Sequence, residues 1–304
     1  MDKRPKRLVA LVSGFGWHVE DLARAAAKVG VGFEAVEFPR VVGRVAMGPG
    51  RVEAGGIALD DPSKVDGVLV RMMPPGTLEQ VVFRMDALHR LEAAGVPVLN
   101  PPRAVEAAVD KYLALARIEA AGLAVPPTWV GESAADALEA FGRLGGDVVV
   151  KPLFGSEGRG LVRVSDPELA FRAFSTLERL GSVIYVQEYL ANPGHDVRVF
   201  ILNGEVLGSI RRHAASGDWR SNVSVGGRPE AIVLDSTLEN LAVGAARSVG
   251  AVVAGVDLLF DSARQAWVVL EVNAVPGWRA LSSTTGVDVA ASILAFLRDT
   301  RRGT

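Results

Sequence analysis

The sequence predicts an α/β protein that opens as a parallel sheet with helices on both faces and continues as α+β. Three observations lead there. In the first hundred residues, strand-like apolar runs alternate with amphipathic helical stretches, a pattern that buries a parallel sheet between helices. Beyond about residue 126, glycine- and asparagine-centred turns separate the apolar runs, as in hairpins. With 304 residues and 49% apolar content, the chain is long enough for two or three units with their own cores.

The elements follow in order. LVALVS (8–13) is a buried strand ending at Gly14. The basic residues before it resemble the start of a secretory leader, but Leu8–Val12 is too short for the apolar region and no A-x-A pattern follows. VEDLARAAAKVG (19–30) reads as a helix with a glycine stop, FEAVEF (33–38) as a strand, and DGVLVRM (66–72) as a strand ended by Pro74-Pro75. LEQVVFRMDALHRLEAAG (78–95) is a periodic helix and VPVLN (96–100) a short strand. Segment 40–64 is rich in glycine and valine and shows no clear period. Asn100-Pro101-Pro102 closes the first unit, 1–100.

A helix-rich piece runs to Gly122. Then come a strand VVVKP (148–152), a loop GSEGRG (155–160), a strand LVRV (161–164), a helix (167–180) and VIYVQEYL (183–190), closing a unit 101–190. The last unit, 191–304, starts with DVRVFIL (196–202) and EVLGSIRR (205–212) around Asn203-Gly204, the strongest short hairpin signal. A polar loop (213–229), a helix (236–249), strands at 253–260 and 267–273 and a helix from about 287 to 299 complete it.

Composition excludes several chemistries. The net charge of −2 does not suggest nucleic acid or a membrane surface as the main partner, and no stretch reaches the ~20 apolar residues of a span. Without cysteine there is no disulfide, thiolate metal site or thiol nucleophile, which fits a reducing, cytoplasmic setting. His18, His89, His195 and His213 lack metal-ligand spacing, and no Ser/His/Asp order suggests a triad. Gly14 and Gly16 hint at a dinucleotide fingerprint, but its third glycine is missing.

Three constellations carry chemistry. Lys151 precedes a loop with Gly155, Gly158 and Gly160, where backbone N–H groups can approach a polyphosphate. The loop joins two strands, so it is a flap and not a Walker loop. A mobile hairpin tip with a solvated lysine accounts for it equally well. Asp257, Glu271 and Asn273 lie on apolar strands joined by DSARQA (261–266). A hairpin centred near Arg264 sets Asp257 opposite Glu271, with Asn273 on the same face. Two opposed carboxylates call for a cation between them, and oxygen donors suit magnesium. A solvated edge with unpaired acids is the alternative. Arg198, Arg211, Arg212 and Arg220 form a cluster suited to phosphate or carboxylate, and alternation sends Arg211 and Arg212 to opposite faces.

In order, the motifs Asp110-Lys111, KPLFGSEGRG (151–160), QEYL (187–190), DVRVF (196–200), DWRSN (218–222), GVDLLF (255–260) and EVNAVPG (271–277) resemble the ATP-grasp superfamily, nearest its RimK-like glutamate and amino-acid ligases. The resemblance covers about Asn100 to Arg298, behind a pre-ATP-grasp domain. It implies that Lys111 and Lys151 hold ATP phosphates with the flap residues Gly155, Ser156, Gly158 and Gly160. It also implies that Gln187, Glu188, Tyr189 and Leu190 line the adenine pocket, with backbone groups of the last three reading the base. Asp196 falls at the ribose, and Arg220, Ser221 and Asn222 on the nucleotide side. Asp257, Glu271 and Asn273 hold magnesium, in two ions with manganese as a substitute. Arg211 lies near the transferred phosphate, and Arg211 and Arg220 are the catalytic candidates. The implied reaction activates a carboxylate as an acyl phosphate and joins it to an amino acid, with homo-oligomers common in the family. GFGWHVEDLARA (14–25) is similar to glutamate ligases acting on tetrahydromethanopterin-type cofactors. Trp17, His18, Trp278 and Arg279 are then candidates for acceptor contacts, and packing of the two tryptophans between domains is the alternative. A peptide or carrier-protein C-terminus as acceptor, and a non-catalytic ATP-binding regulator on the same fold, are the competing functions.

Overall fold

The structure is a computed structural model that describes residues 6–47, 50–155, 160–215, 218–221 and 226–300. The chain opens with β1 (Arg7–Val12), α1 (Trp17–Val29) and β2 (Gly32–Glu37). Segment 40–64 holds a small antiparallel sheet, β3 (Val41–Gly43), β4 (Val52–Ala54) and β5 (Ile57–Ala58). Strands of two or three residues are too short for a period of two to show in sequence. β6 (Gly67–Val70), α2 (Leu78–Ala93) and β7 (Val98–Leu99) follow.

β1, β2, β6 and β7 pair in parallel in the order β2-β1-β6-β7. Alternation along β1 serves both faces: Leu8, Ala10 and Val12 join a core with Leu22 and Ala26 of α1, while Val9 and Leu11 join one with Leu88 and Leu91 of α2. α2 begins with a capping box: Thr77 accepts from the Gln80 N–H and Gln80 accepts from the Thr77 N–H.

After α3 (Pro102–Val109) and α4 (Lys111–Ala120) come β8 (Thr128–Gly131), α5 (Ala134–Arg143), β9 (Val148–Lys151), β10 (Val162–Val164), α6 (Pro167–Arg179) and β11 (Ile184–Glu188). Their strands form an antiparallel sheet in the order β10-β9-β11-β8, backed by α5 and α6 through Phe141, Phe174, Val148 and Val186. The third large segment comprises β12 (His195–Leu202), β13 (Glu205–His213), β14 (Arg228–Ala231), α7 (Ser236–Ser248), β15 (Val253–Asp261), β16 (Ala266–Asn273), α8 (Arg279–Thr285) and α9 (Val289–Asp299). Its sheet is antiparallel, β14-β13-β12-β15-β16, with β14 starting at the end of what reads as a polar loop. Asn203 and Gly204 both adopt positive φ, 53° and 79°, as a two-residue hairpin turn requires.

Helices cross the sequence divisions. α3 and α4 join α7 on one face of the third sheet, through Ala107, Ile118, Ala242 and Val256. α9 returns to the first sheet beside α1, through Ile293, Leu294 and Leu297. A Cβ at Gly67 on β6 would stand 2.8 Å from Leu297, so the absence of a side chain there permits that approach. Among the described residues no single helix is long and apolar enough to cross a membrane.

Candidate active site

The second and third sheets face each other across a cleft, and period two decides which side chains enter it. On β12, Val197, Val199 and Ile201 point into the core beneath the sheet, so Asp196 and Arg198 point into the cleft. Asp196 pairs with Arg212, Arg198 with Asp257, and Asp257 with Glu271, which places all five on one face. The turn of the β15–β16 hairpin is centred one half-step before Arg264, since Asp261 pairs with Ala266. In that register Asp257 would face Leu270. A bulge between Asp257 and Leu258 leaves Leu270 unpaired and brings Glu271 opposite Asp257 and Asn273 opposite Gly255.

Charge on this floor is tightly coupled. Arg198 donates to both oxygens of Asp257 at 2.6 Å, Arg212 donates to Asp196 at 2.7 and 2.6 Å, and Arg212 also lies 3.0 Å from Asp257. Ser221 donates to Asp196 at 2.5 Å. Burial opposes ionisation of Asp257, but Arg198 and Arg212 outweigh it and hold the carboxyl below its ordinary range. The Glu271 carboxylate makes no hydrogen bond or ion pair among the described residues. No three His, Asp or Glu side chains converge there among those residues. A metal would therefore take two carboxylates, the Asn273 amide oxygen, phosphates and water, a shell that suits magnesium. An ionised carboxylate has about four lone-pair sites, so the arginines leave Asp257 able to accept a cation. The residues fit the ion.

Above the floor stand the two predicted lysines. Lys111, the first residue of α4, donates to the Gly155 carbonyl at 2.7 Å, and Asp110 caps its helix. Lys151 donates to Gln187 at 2.6 Å, and Gln187 donates onward to Thr128. Burial pushes the Lys151 ammonium down to about 8, Lys111 adds to that, and Glu271 and Asp257 oppose it. Burial also lowers Lys111, against Glu271 and Asp110. Both lysines line one pocket with Gly155, Gln187, Glu188, Tyr189, Leu190, Asp196, Arg212, Arg220, Ser221, Asp257 and Glu271.

The structure departs from the sequence expectation in several places. Arg211 shares a face with Val197, on the side of β13 away from the cleft, and Arg212 is the arginine that enters it. Alternation allowed either assignment; the pairing of Asp196 with Arg212 decided it. Gln187 is tied to Lys151, and the N–H groups of Glu188 and Tyr189 already donate to Pro127 and Asp147. The Glu188 carboxylate is held by Arg264 from the hairpin tip. Arg220 is bound by Asp218 of its own loop. Ser156, Gly158 and Asn222 lie outside the described residues.

Sequence reasoning passed over Trp219, Arg163 and Asn100. Tyr189 sits between Arg163, 3.5 Å above its ring, and Trp219, edge-on at 6.0 Å. No motif spacing signals that stack. Asn100 is buried at the end of β7 and bonds Val252, Val253 and Ala274 through their backbone, fastening the first sheet to the third.

A second cavity, of about 640 Å³, opens on the other side of Arg212 and Glu271, between the third sheet and the first unit. His18, Asn273 and Arg279 line it. His18 packs edge-on between Trp17 and Trp278, at 5.1 and 4.7 Å, and accepts from the Trp278 N–H. The Trp278 indole N–H donates to Asp21. Trp278 is 2% exposed and packs in the core with Leu22 and Leu281, behind the residues that line the cavity, and Arg279 lies 5.5 Å over Trp17.

Known proteins bear on this geometry. The RimK-like ATP-grasp domain family matches residues 108–297. The tetrahydromethanopterin:alpha-L-glutamate ligase of Methanosarcina acetivorans is 36% identical over 273 residues, covering 81% of this chain and 83% of that protein. The protein of the same name from Methanococcus maripaludis is 35% identical over 220 residues, covering 71% and 73%. Among solved structures, the ATP-grasp ligase PsnB complexed with a minimal precursor superposes with a TM-score of 0.74 at 22% identity, over 96% of this chain and 98% of that one, a likeness of fold. The chain belongs to the RimK-like ATP-grasp family and is an ATP-dependent carbon–nitrogen ligase.

Proposed function

We propose that the protein joins L-glutamate to a carboxylate acceptor through an acyl phosphate, with a tetrahydromethanopterin-type cofactor as the acceptor. The observation that carries the reading is one shared strip of floor. Arg212 and Glu271 line both the lysine-capped pocket and the larger cavity beside it, so a phosphate in the first and a carboxylate in the second meet at the same residues. The names of the two archaeal relatives support glutamate and the pterin acceptor.

ATP occupies the lysine-capped pocket. Lys111 and Lys151 neutralise its phosphates, and Lys111 draws the start of the glycine loop toward them through Gly155. The Tyr189–Leu190 segment, with Trp219 above it, walls the base. Asp257, Glu271 and Asn273 would hold magnesium, which would supply positive charge to offset that of the phosphates. Arg212 faces the transferred phosphoryl group. An acceptor carboxylate oxygen forms a bond to the γ-phosphorus as the β–γ bridging bond breaks and ADP leaves. The glutamate amine then attacks the acyl carbon, forming the C–N bond; phosphate departs and the amine gives up a proton. Exclusion of water protects the intermediate.

The test is ADP release with ATP, magnesium, glutamate and candidate acceptors, with mass spectrometry of the product. Turnover is expected to need both magnesium and acceptor, and Glu271→Ala to remove it. Unchanged turnover in Glu271→Ala contradicts the site; a product lacking the mass of glutamate contradicts the substrate.

A further inference from the structure

The cavity beside the nucleotide pocket has a feature that phosphate transfer does not use. Arg71 follows β6 at the carboxyl end of the parallel sheet, the edge at which open α/β sheets receive ligands. It is 5% exposed and lines the cavity. Its guanidinium lies 4.8 Å over the Trp278 ring and donates to the Val275 carbonyl at 3.3 Å. Its Nε is buried without a partner, and no carboxylate pairs with it among the described residues. The cost of burying that cation is visible in its affinity for a proton, which burial alone pushes down to about 10. Buried charges in proteins are ordinarily paired. The other buried arginine of the cleft, Arg212, is paired with Asp196 and Asp257.

We propose that this cavity is the subsite of the incoming amino acid, and that Arg71 binds a carboxylate of that amino acid which the reaction leaves intact. The guanidinium fork matches a carboxylate. Two considerations select the amino acid over the acceptor. The acceptor carboxylate is consumed at the phosphate, and Arg71 does not line the nucleotide pocket. A permanent cation without a counter-ion among the described residues suits a charge that persists through the reaction, and the amino acid keeps its carboxylates while only its amine reacts. Trp278, held by His18 and Asp21, lies 4.8 Å under the guanidinium and covers one side of it. The choice of L-glutamate as first probe rests on the function proposed above; the assignment of Arg71 does not.

The test is calorimetric titration of L-glutamate, L-aspartate and L-alanine into the full chain saturated with ADP and magnesium, comparing wild type, Arg71→Lys and Arg71→Leu. The wild type is expected to bind one of them, and Arg71→Leu to weaken it by about tenfold or more, the scale of a charge-assisted hydrogen bond. Arg71→Lys should fall between. ADP affinity should be unchanged, and the melting temperature of Arg71→Leu should equal or exceed that of wild type, since an unpaired buried charge has been removed. If aspartate or alanine binds and glutamate does not, the glutamate reading fails while loss of that affinity in Arg71→Leu upholds the subsite. Retained amino-acid affinity in Arg71→Leu, binding of none of the three by wild type, or a fall in melting temperature together with ADP affinity overturns the proposal.

Discussion

The floor of the cleft and its N-terminal wall treat buried charge in opposite ways. On the floor, Asp196, Arg212, Asp257 and Arg198 form a closed set in which each carboxylate meets a guanidinium within 2.7 Å. On the wall, Arg71 is as deeply buried and meets no carboxylate among the described residues. That set is paired without substrate, so it can hold its shape while ligands come and go, and only Glu271 beside it stays without a partner among the described residues. The wall is incomplete, and a ligand carboxylate completes it. Burial alone therefore says little about whether a charge is structural; the presence of a counter-ion separates the two cases.

That contrast can be broken most directly by deleting a cation from each side. Arg212→Met leaves Asp196 buried with Ser221 as its one side-chain donor among the described residues and removes one of the two arginines on Asp257. The loss of one partner of a buried pair costs about 3–5 kcal/mol, so chemical denaturation should show a large drop, against no drop for Arg71→Leu. Equal stability losses in the two variants would erase the distinction.

The seam between the two sides comes next. Asn100 supplies four hydrogen bonds from the end of the first sheet to the backbone of the third. Asn100→Ala strands those buried groups and should cost about 2–4 kcal/mol. A loss within measurement error in urea unfolding would mean the two units do not depend on this clasp.

A pH experiment sharpens the comparison on the nucleotide side. Lys151, at about 8 in the fold against an ordinary 10.5, loses its charge first in the folded chain. The unfolded state then binds more protons between those values, so stability should rise with pH from about 8 toward 10.5. Over the same range the affinity for an ATP analogue should fall, because the neutral amine no longer attracts phosphate. Lys151→Met should flatten both trends; a pH-independent affinity in wild type would refute the role of the lysine.

The smallest effect is spectroscopic. Burial, then Arg71, lowers His18 to about 4 from 6.5. Its neutral form is favoured by folding, so its contribution to stability is lost as pH falls from 6.5 toward 4. In Arg71→Leu the His18 titration followed by NMR should move upward, and an unmoved titration would separate the two residues.

Much of this was legible in the sequence. Alternating strands and helices announced the parallel sheet, Asn203-Gly204 the hairpin, and the ordered motifs the family. Lys151 was named from the glycine loop, Asp257 and Glu271 from the hairpin and Lys111 from the ordered motifs, and all four line one pocket. Segment 40–64 was illegible because its strands are shorter than the pattern that reveals a strand. Arg211 was favoured over Arg212 from the family resemblance, and alternation could not correct it because it specifies two faces without saying which one lines the cleft. Arg71 and Asn100 escaped notice because nothing near them in the chain resembles what they touch: Asn100 bonds residues more than 150 positions away.

Local order, then, resides in the chain: periodicity, turn residues and caps act over a few residues and can be read from them. The active-site register does not, because the half-step offset of the β15–β16 turn and the bulge at Leu270 together decide that Asp257 meets Glu271. The same holds for the buried charges. Whether an arginine has a counter-ion depends on which distant strands are brought beside it, and that is a property of the packed molecule.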